Sequence, residues 1–577
     1  MRYKAVVASP ELASSLIREA DALRAERSSI DALNQEIADY IMPRKNQINK
    51  INTQGTDSPE EELYDLTAVR DSQILAAGQL DYLVSGRWFQ YDPPAVLSAG
   101  ARPDDEAQQY CQRCTEIVLR ELANSNFNTE LHEMLLDRSA FTHASLFVEE
   151  LTDDPEGTVF NFRKDDVGTY SIAENNRGRV DKVFRDFEFT ARQAIQEFGA
   201  ENCSKAILSA MEDKSQCDVK KFQFIHACYP RPLEQQNPKK LDPKFFPVAS
   251  VYVDCADKRV VRESGFPEMP YIATRFLKWG KSPYGYSPAI EALPAVRQVN
   301  LMTKHMAALG EIAAWPRILV PHGLTSRLDL SPGGETVVDP NVPADAWPRE
   351  FGTGGRWDIG EALIKQVQEQ IHKTFFVDLF QMLANLERGQ MTAYEVSARL
   401  AEKVRTFSPT FERLSQEVFR PLLTRCFSIA FRRKMFPEAP RSMLVIQNGS
   451  DMAALAMPQI ILTGKMALRI KEVENTAFLQ AMEIIGPMAQ YAPEVLHNID
   501  YDEGARAILR NYGVAANVVR SVQDRDEMRA EIQAAQAQAA QMEQAAMAAK
   551  AVRDVGAAPE DMREQIGSAV AGQVDKL

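Results

Sequence analysis

Few residues of this chain stand at spacings that could do chemistry. Cys111-x-x-Cys114 has the interval of a redox or metal-binding pair. It lies in a helical stretch with no second CxxC and no histidine at finger spacing, so it reads as two buried or partly buried thiols. His132-Glu133 begins like a zinc-protease motif and lacks its second histidine, and the seven histidines are scattered. Gly464-Lys465 has no glycine five residues earlier and no Ser or Thr after it, so no phosphate-cradling loop is built. Gly352-Thr-Gly-Gly355 lacks the third glycine of a dinucleotide loop, and no G-x-S-x-G elbow occurs. Asp153-Asp154 and Asp165-Asp166 fall in turn-like stretches and read as solvated turn residues rather than acid–base pairs. Arg432-Arg433-Lys434 closes a helix, where cations complement the dipole, and Arg44-Lys45 after Pro43 reads similarly. No catalytic constellation assembles, so the expectation is a protein that is not an enzyme and needs neither cofactor nor metal.

The bulk composition agrees with a non-catalytic, globular role. The chain has 577 residues with 80 acidic and 66 basic side chains, a net charge of −14. Proteins that hold nucleic acid electrostatically usually carry a basic excess, so tight DNA or RNA binding is disfavoured, although DNA could still slide past such a surface. Seven cysteines form no framework pattern and read as reduced thiols of a cytosolic setting. No apolar run reaches the length of a membrane span or a signal peptide.

The elements around these residues follow from periodicity. Residues 10–42 keep a helical apolar period until Pro43. A second helix is expected over 60–85, with Val69, Ile74, Leu80 and Leu83 on its apolar stripe, and two more over 104–124 and 129–142. From 144 to 280 the period changes to short Val-, Phe- and Tyr-rich runs separated by Gly, Pro, Asp and Asn, interrupted by one helix at 190–199, which makes this part α+β. Ser287-Pro288 opens a long helix with an N-cap and a first-turn proline, and Pro294 is expected to kink it. Residues 316–360 contain 13 Gly or Pro among 45, a loop-rich insert with strand candidates at Arg317–Val320 and Glu335–Val338.

A second long helix is expected from Asp358, with Glu361 completing a capping box. Its apolar positions, Ile359, Leu363, Val367, Ile371, Phe375, Leu379 and Leu383, recur every four residues. Each step advances about 400°, so the stripe winds round the helix. Two readings are open: a fully buried core helix, or a helix wedged between copies of itself in a ring. Thr392-Ala-Tyr-Glu395 restarts a helix that runs to about Phe436 with bends at Pro409 and Pro421. Shorter helices are expected over 450–520. An Ala-, Gln- and Met-rich helix follows over 521–552, with a frayed end beyond it.

Four segments in order, LYDLTAVRDSQILAAGQLDYLVSGRWF, SPYGYSPAIEALPAVRQVNLM, ERGQMTAYEVSARLAEK and FSPTFERLSQEVFRPLLTR, resemble the head-to-tail connector (portal) proteins of short-tailed bacteriophages, over roughly residues 10–510. The resemblance implies a mainly α, α+β portal fold assembling into a ring of the family's twelve-fold type. It implies a wing over 1–280 with its β-rich part at 144–280, a first stem helix over 281–315, a clip over 316–357 and a second stem helix over 358–383. A tunnel loop would follow over 384–391, then a long wing helix over 392–440, a helical crown over 441–520 and a barrel-like tail over 521–577.

The implied role is passage of double-stranded DNA through a channel at the capsid vertex, without sequence specificity, in packaging and ejection. The implied partners are the terminase large subunit, a tail adaptor, and the major capsid and scaffolding proteins, in a virion assembled in the host cytoplasm with no membrane. The tunnel loop would be Leu386, Glu387, Arg388, Gly389 and Gln390; a plain helix–helix connector is the other reading of these residues. Lys304, Lys365 and Lys373 are candidate channel charges or else solvated or intersubunit charges. Ile359, Leu363, Val367, Ile371, Phe375 and Leu379 would pack the stem. Trp347, Arg349 and Trp357 would meet a partner in the clip or pack the insert, with Trp315 at its edge. A tail adaptor or other virion component, or an enzyme with no recognisable motif, are the alternatives; an adaptor would lack the stem–clip–stem order.

Overall fold

Alternating apolar runs between residues 144 and 280 pair into two antiparallel sheets, and the helices before and after them supply the layers that cover those sheets. The computed structural model describes residues 10–45, 48, 63–94, 105–152, 157–213, 215–237, 240, 242–278, 280–320, 322, 328–329, 343, 347–350, 357–381, 406–446, 453–465, 501–511, 520 and 522–556. The first elements are α1 (Pro10–Tyr40), α2 (Thr67–Leu83), β1 (Phe89–Asp92), α3 (Asp105–Asn124) and α4 (Phe127–Ala140). Strands β2 (Ala144–Glu150), β3 (Phe160–Asp165), β4 (Tyr170–Glu174) and β5 (Val180–Thr190) lead into two short helices, α5 (Ala191–Phe198) and α6 (Lys205–Glu212). Then come β6 (Lys221–Pro230), β7 (Val248–Asp254), β8 (Arg259–Phe266), β9 (Tyr271–Thr274), β10 (Leu277–Lys278) and β11 (Gly285–Tyr286).

One sheet is the meander β4-β5-β6-β7-β8 and the other is β3-β2-β9. In the meander, Phe184 and Phe187 sit three residues apart on β5 and therefore face opposite ways. Phe184 packs with Ala13, Leu16 and Ala20 of α1, whereas Phe187 packs with Ala194 and Phe198 of α5 and Ile207 of α6. Both faces of the meander are thus covered by helices. Thr190 caps α5 in a complete capping box with Gln193. The sequence suggested one helix here; the structure has two, because α6 supplies the remaining cover.

The C-terminal half is α7 (Pro288–Ala314), β12 (Ile318–Leu319), β13 (Arg349–Glu350), α8 (Trp357–Thr374), α9 (Arg420–Arg432), β14 (Leu444–Ile446), β15 (Ala453–Leu455), β16 (Gln459–Leu462), α10 (Tyr501–Asn511) and α11 (Val522–Gly556). Residues 377–381 and 406–414 are also helical. The largest core joins α2, α3, α4, β1 and β2 to the inner ends of α7 and α8 and to residues 407–443.

Several expectations change. α2 begins at Thr67, not 60, and Ile74 is 37% exposed. The buried face instead runs through Leu75, Ala76, Gln79 and Leu83 and includes Asp71, because polar partners await Asp71 and Gln79 in the core. Asp165 is no solvated turn residue: it is buried on β3 and paired with Arg185 at 2.7 Å and Arg163 at 3.4 Å. The expected helical stretch after 441 contains strands, and β16 pairs with β1, Phe89 opposite Leu462. β12 pairs with Arg349–Glu350, while Glu335–Val338 lies outside the described residues. So do Asp153-Asp154, Gly352–Gly355, Thr392–Glu395 and the final twenty residues. Asp358 lies inside the first turn of α8, which opens at Trp357. The bend foreseen at Pro421 is a π-helical turn, Ser415–Phe419, immediately before α9. Cys111 and Cys114 are buried free thiols, and burial pushes Cys114 up to about 12.

Buried charges tie these segments together. Arg275, 2% exposed, meets Glu417 at 2.7 Å and also pairs with Glu174. Arg138 donates to Gln79 Oε1, Arg275 O and Thr410 O, and burial lowers it to about 9. Arg425 donates to Val148 O and Glu268 O. Arg432 and Arg433, expected to serve the helix end, reach across to Glu268 and Glu150.

Two outcomes follow. Glu417→Ala leaves Arg275 without its main counter-charge and should cost about 3–5 kcal/mol of subunit stability, read as a denaturant midpoint shift. His143 is fully buried between Tyr170 and Tyr284, and burial, then Arg27 and Arg275, lower it to about 3. Above about pH 6.5 both states hold it neutral. Below that the unfolded chain gains a proton that the folded one refuses, so stability falls as pH drops from about 6.5 to about 3. His143→Gln should flatten that part of a stability–pH curve; an unchanged slope would assign the acid loss to other groups.

Candidate assembly surface

α7 starts as the sequence requires: Ser287 Oγ accepts from Ile290 N, and Pro288 takes the first turn, where its missing N–H costs nothing. Its first half is buried through Ala289, Ala292, Leu293, Val296 and Val299. Beyond Val299 no residue of α7 is buried. α8 mirrors this. Trp357 to Gln366 are exposed or half-buried, and burial begins only at Val367 and Ile371. The two helices run antiparallel: the Trp357 ring lies 3.5 Å from where a Cβ on Gly310 would stand, and Met306 fills the space beside Gly360. The pair therefore forms a hairpin rooted in the core, with a free portion of about fifteen residues on α7, or about 22 Å. β12 and β13 pair at its tip.

The root is strapped by the chain leading into α2. Asn300 Oδ1 accepts from Tyr64 N at 2.7 Å, Gln368 donates to Asp65 at 2.7 Å, and His372 Nδ1 meets Asp71 Oδ2 at 2.7 Å. Burial raises Asp71 above the usual carboxylate range, opposed by His372. Farther along α2, Gly78 faces Phe380, whose ring atom lies 2.5 Å from a would-be Cβ.

The free portion is unusually apolar. Leu301, Trp315, Leu319, Val320, Trp347, Trp357, Ile359 and Leu363 are each between 46% and 69% exposed. They are eight of the 24 exposed large apolar residues among those described, gathered on one protrusion. Exposed apolar surface on this scale marks a contact with another molecule.

The six residues foreseen as stem packing therefore divide. Ile359 and Leu363 are exposed on the hairpin, whereas Val367, Ile371, Phe375 and Leu379 are buried in the subunit's own core. The helix foreseen over 358–383 is also not continuous: α8 ends at Thr374. Lys365 pairs with Glu361 at 2.7 Å, Lys304 lies over the Tyr64 ring at 5.4 Å, and Lys373 is exposed. Trp347 and Arg349 sit beside β12 at the tip, and Trp357 begins α8. Leu386, Glu387, Arg388, Gly389 and Gln390 lie outside the described residues. The strap Asn300–Tyr64 and Gln368–Asp65 had no signal in the sequence. Among the described residues no helix is long and apolar enough to cross a membrane, and no cluster of His, Cys, Asp or Glu could hold a metal.

Residues 13–519 match the family described as bacteriophage head to tail connecting protein. The chain is 29% identical over 541 residues to the portal protein of Salmonella phage epsilon15, covering 91% of this chain and 92% of that one. It is 28% identical over 507 residues to the probable portal protein of Bordetella phage BPP-1, covering 86% and 87%.

Gly78→Ala drives a methyl group into the Phe380 ring and should cost about 1–3 kcal/mol, read by thermal or denaturant unfolding. Gly360→Ala meets only the flexible end of Met306 and should cost distinctly less.

Proposed function

The chain belongs to the bacteriophage head-to-tail connecting protein family, and from that premise we propose that it is a portal subunit. In this reading twelve copies close into a ring at one capsid vertex, and double-stranded DNA passes through the central channel during packaging and ejection. Residues 1–280 form the wing and the α7–α8 hairpin the stem. Residues 316–357 form the clip, 384–391 the tunnel loop, 392–440 the long wing helix, 441–520 the crown and 521–577 the tail.

The observation that carries the reading is the hairpin. Its root is strapped and buried, while its outer half presents apolar residues that a lone subunit cannot cover. In a ring each hairpin stands between two others, so Ile359, Leu363 and Leu301 become intersubunit core. Trp347, Arg349 and Trp357, with Trp315 beside them, meet the terminase large subunit first and a tail adaptor afterwards. The wing meets the major capsid and scaffolding proteins.

The channel reading rests on charge. A wall that gripped phosphates would stall a sliding duplex. Lys365 is already paired with Glu361, and the chain carries a net charge of −14. Lys304, Lys365 and Lys373 offer scattered, partly neutralised cations rather than a binding stripe.

Native mass measurement with electron microscopy is the first test: twelve copies of 64.7 kDa give a ring of about 776 kDa with a central hole. Leu363→Asp should abolish the ring and leave the subunit's unfolding temperature within a few degrees, whereas Ile371→Asp, fully buried, should unfold the subunit itself. Rings of normal mass from Leu363→Asp would remove the hairpin from the interface. Deleting residues 386–390 should spare assembly and impair packaging or retention of DNA.

A further inference from the structure

From Glu361 to Leu383 the sequence holds neither glycine nor proline, and its apolar step of four continues without interruption. Local preference therefore favours one unbroken helix. The chain breaks it. Phe375 N still donates to Ile371 O, but Phe376 N reaches only three residues back, to Lys373 O. Phe376 then takes a left-handed backbone with φ 56°, and helix resumes over 377–381, with Leu379 N donating to Phe376 O at 3.0 Å.

A left-handed residue after a helix is normally glycine, because a Cβ crowds the carbonyl there. For a bulky aromatic residue it is an outlier. Among the described residues the two other non-glycine residues with positive φ, Lys258 and Lys434, are exposed in turns. Phe376 is half-buried. Its strain is held by a wedge of rings: Phe376 lies 5.4 Å from Phe407, edge-on, and 6.3 Å from Phe276, and Phe380 lies 5.9 Å from Phe407. α2 grips both sides of the break, Asp71 through His372 before it and Gly78 under Phe380 after it.

Local sequence asks for a straight helix and tertiary contacts impose a bend, which is the condition for two packings of similar free energy. We propose that Phe375–Phe376 is a two-state hinge: bent in the state described here, and straight in a second state in which residues 357–381 form one helix. The rings of Phe276, Phe376 and Phe407 are its catch. Its position sets the angle between α8 and the helical residues 377–381. The inference is drawn from one subunit and does not rest on the portal reading.

The test measures the distance between spin labels at Lys365→Cys and Gln381→Cys, both exposed positions, in full-length protein with Cys217→Ser and Cys255→Ser, diluted into unlabelled chain. Sixteen residues of straight helix span about 24 Å. Phe276→Ala or Phe407→Ala releases the catch, and the distance should lengthen toward that value. Phe376→Gly accepts the left-handed backbone, so it should keep the shorter distance and narrow its distribution. It is read even if the alanine variants fail to fold. An unchanged distance in a folded Phe276→Ala or Phe407→Ala, or a lengthened one in Phe376→Gly, would overturn the hinge.

Discussion

Arg275 and Glu417 form the contact on which the rest of the subunit depends. Arg275 stands between β9 and β10, on the stretch that delivers the chain to α7, and Glu417 stands in the π-helical turn before α9. Glu417 accepts from the side chain of Arg275, from its backbone N–H at 3.0 Å, from Thr274 Oγ1 at 3.2 Å and from Arg413 at 3.1 Å. Glu174, at the end of β4, completes the arrangement from the meander. A buried ion pair is costly unless further hydrogen bonds satisfy its groups; here both terminal nitrogens of Arg275 have partners, and its Nε has none. The meander, the chain entering α7 and the π turn before α9 are therefore tied together at this one contact. The extra residue of the π turn shifts the side chains before it against those after it, which lets Glu417 face Arg275 while α9 keeps Leu422, Leu423 and Cys426 in the core.

Much of the fold could be read directly because its signals are local. The period of α1 and the Ser287–Pro288 start of α7 each need only neighbouring residues to be recognised. β1 was missed because its partner, β16, lies some 370 residues away, and a four-residue strand carries no period of its own. Asp165 was misread for a related reason. Two adjacent aspartates look like a turn unless Arg163 and Arg185 are known to flank one of them. Ile74 was misplaced on the buried face of α2 because the face that turns inward carries Gln79, which receives Arg138. On the candidate site, the winding stripe of α8 was visible, and the core reading holds only for its inner part: Val367 and Ile371 are buried, while Ile359 and Leu363 are exposed. The division between them is set by where the core ends, which the stripe does not encode.

The hairpin shows how one chain can be finished inside and unfinished outside. Its root is held by hydrogen bonds from residues 64 and 65 and by an aspartate on α2, so its angle to the core is fixed before any partner arrives. Its outer half keeps apolar side chains in water at a free-energy cost that contact would relieve. A fixed root with an uncovered tip favours assembly in one geometry, because little order remains to be imposed at the moment of contact.

The pairing of β1 with β16 bears on how the polypeptide is made. Phe89, buried in the main core, lies opposite Leu462. Strands so distant in sequence meet late, since closing the intervening loop must come first. During synthesis the chain up to β16 therefore emerges with one edge of its core open. A nascent chain can complete its meander early, but it cannot close that edge until β16 has left the ribosome. Translation thus imposes an order of events: the core is whole only after β16 has been made, and products truncated before it lack a finished core.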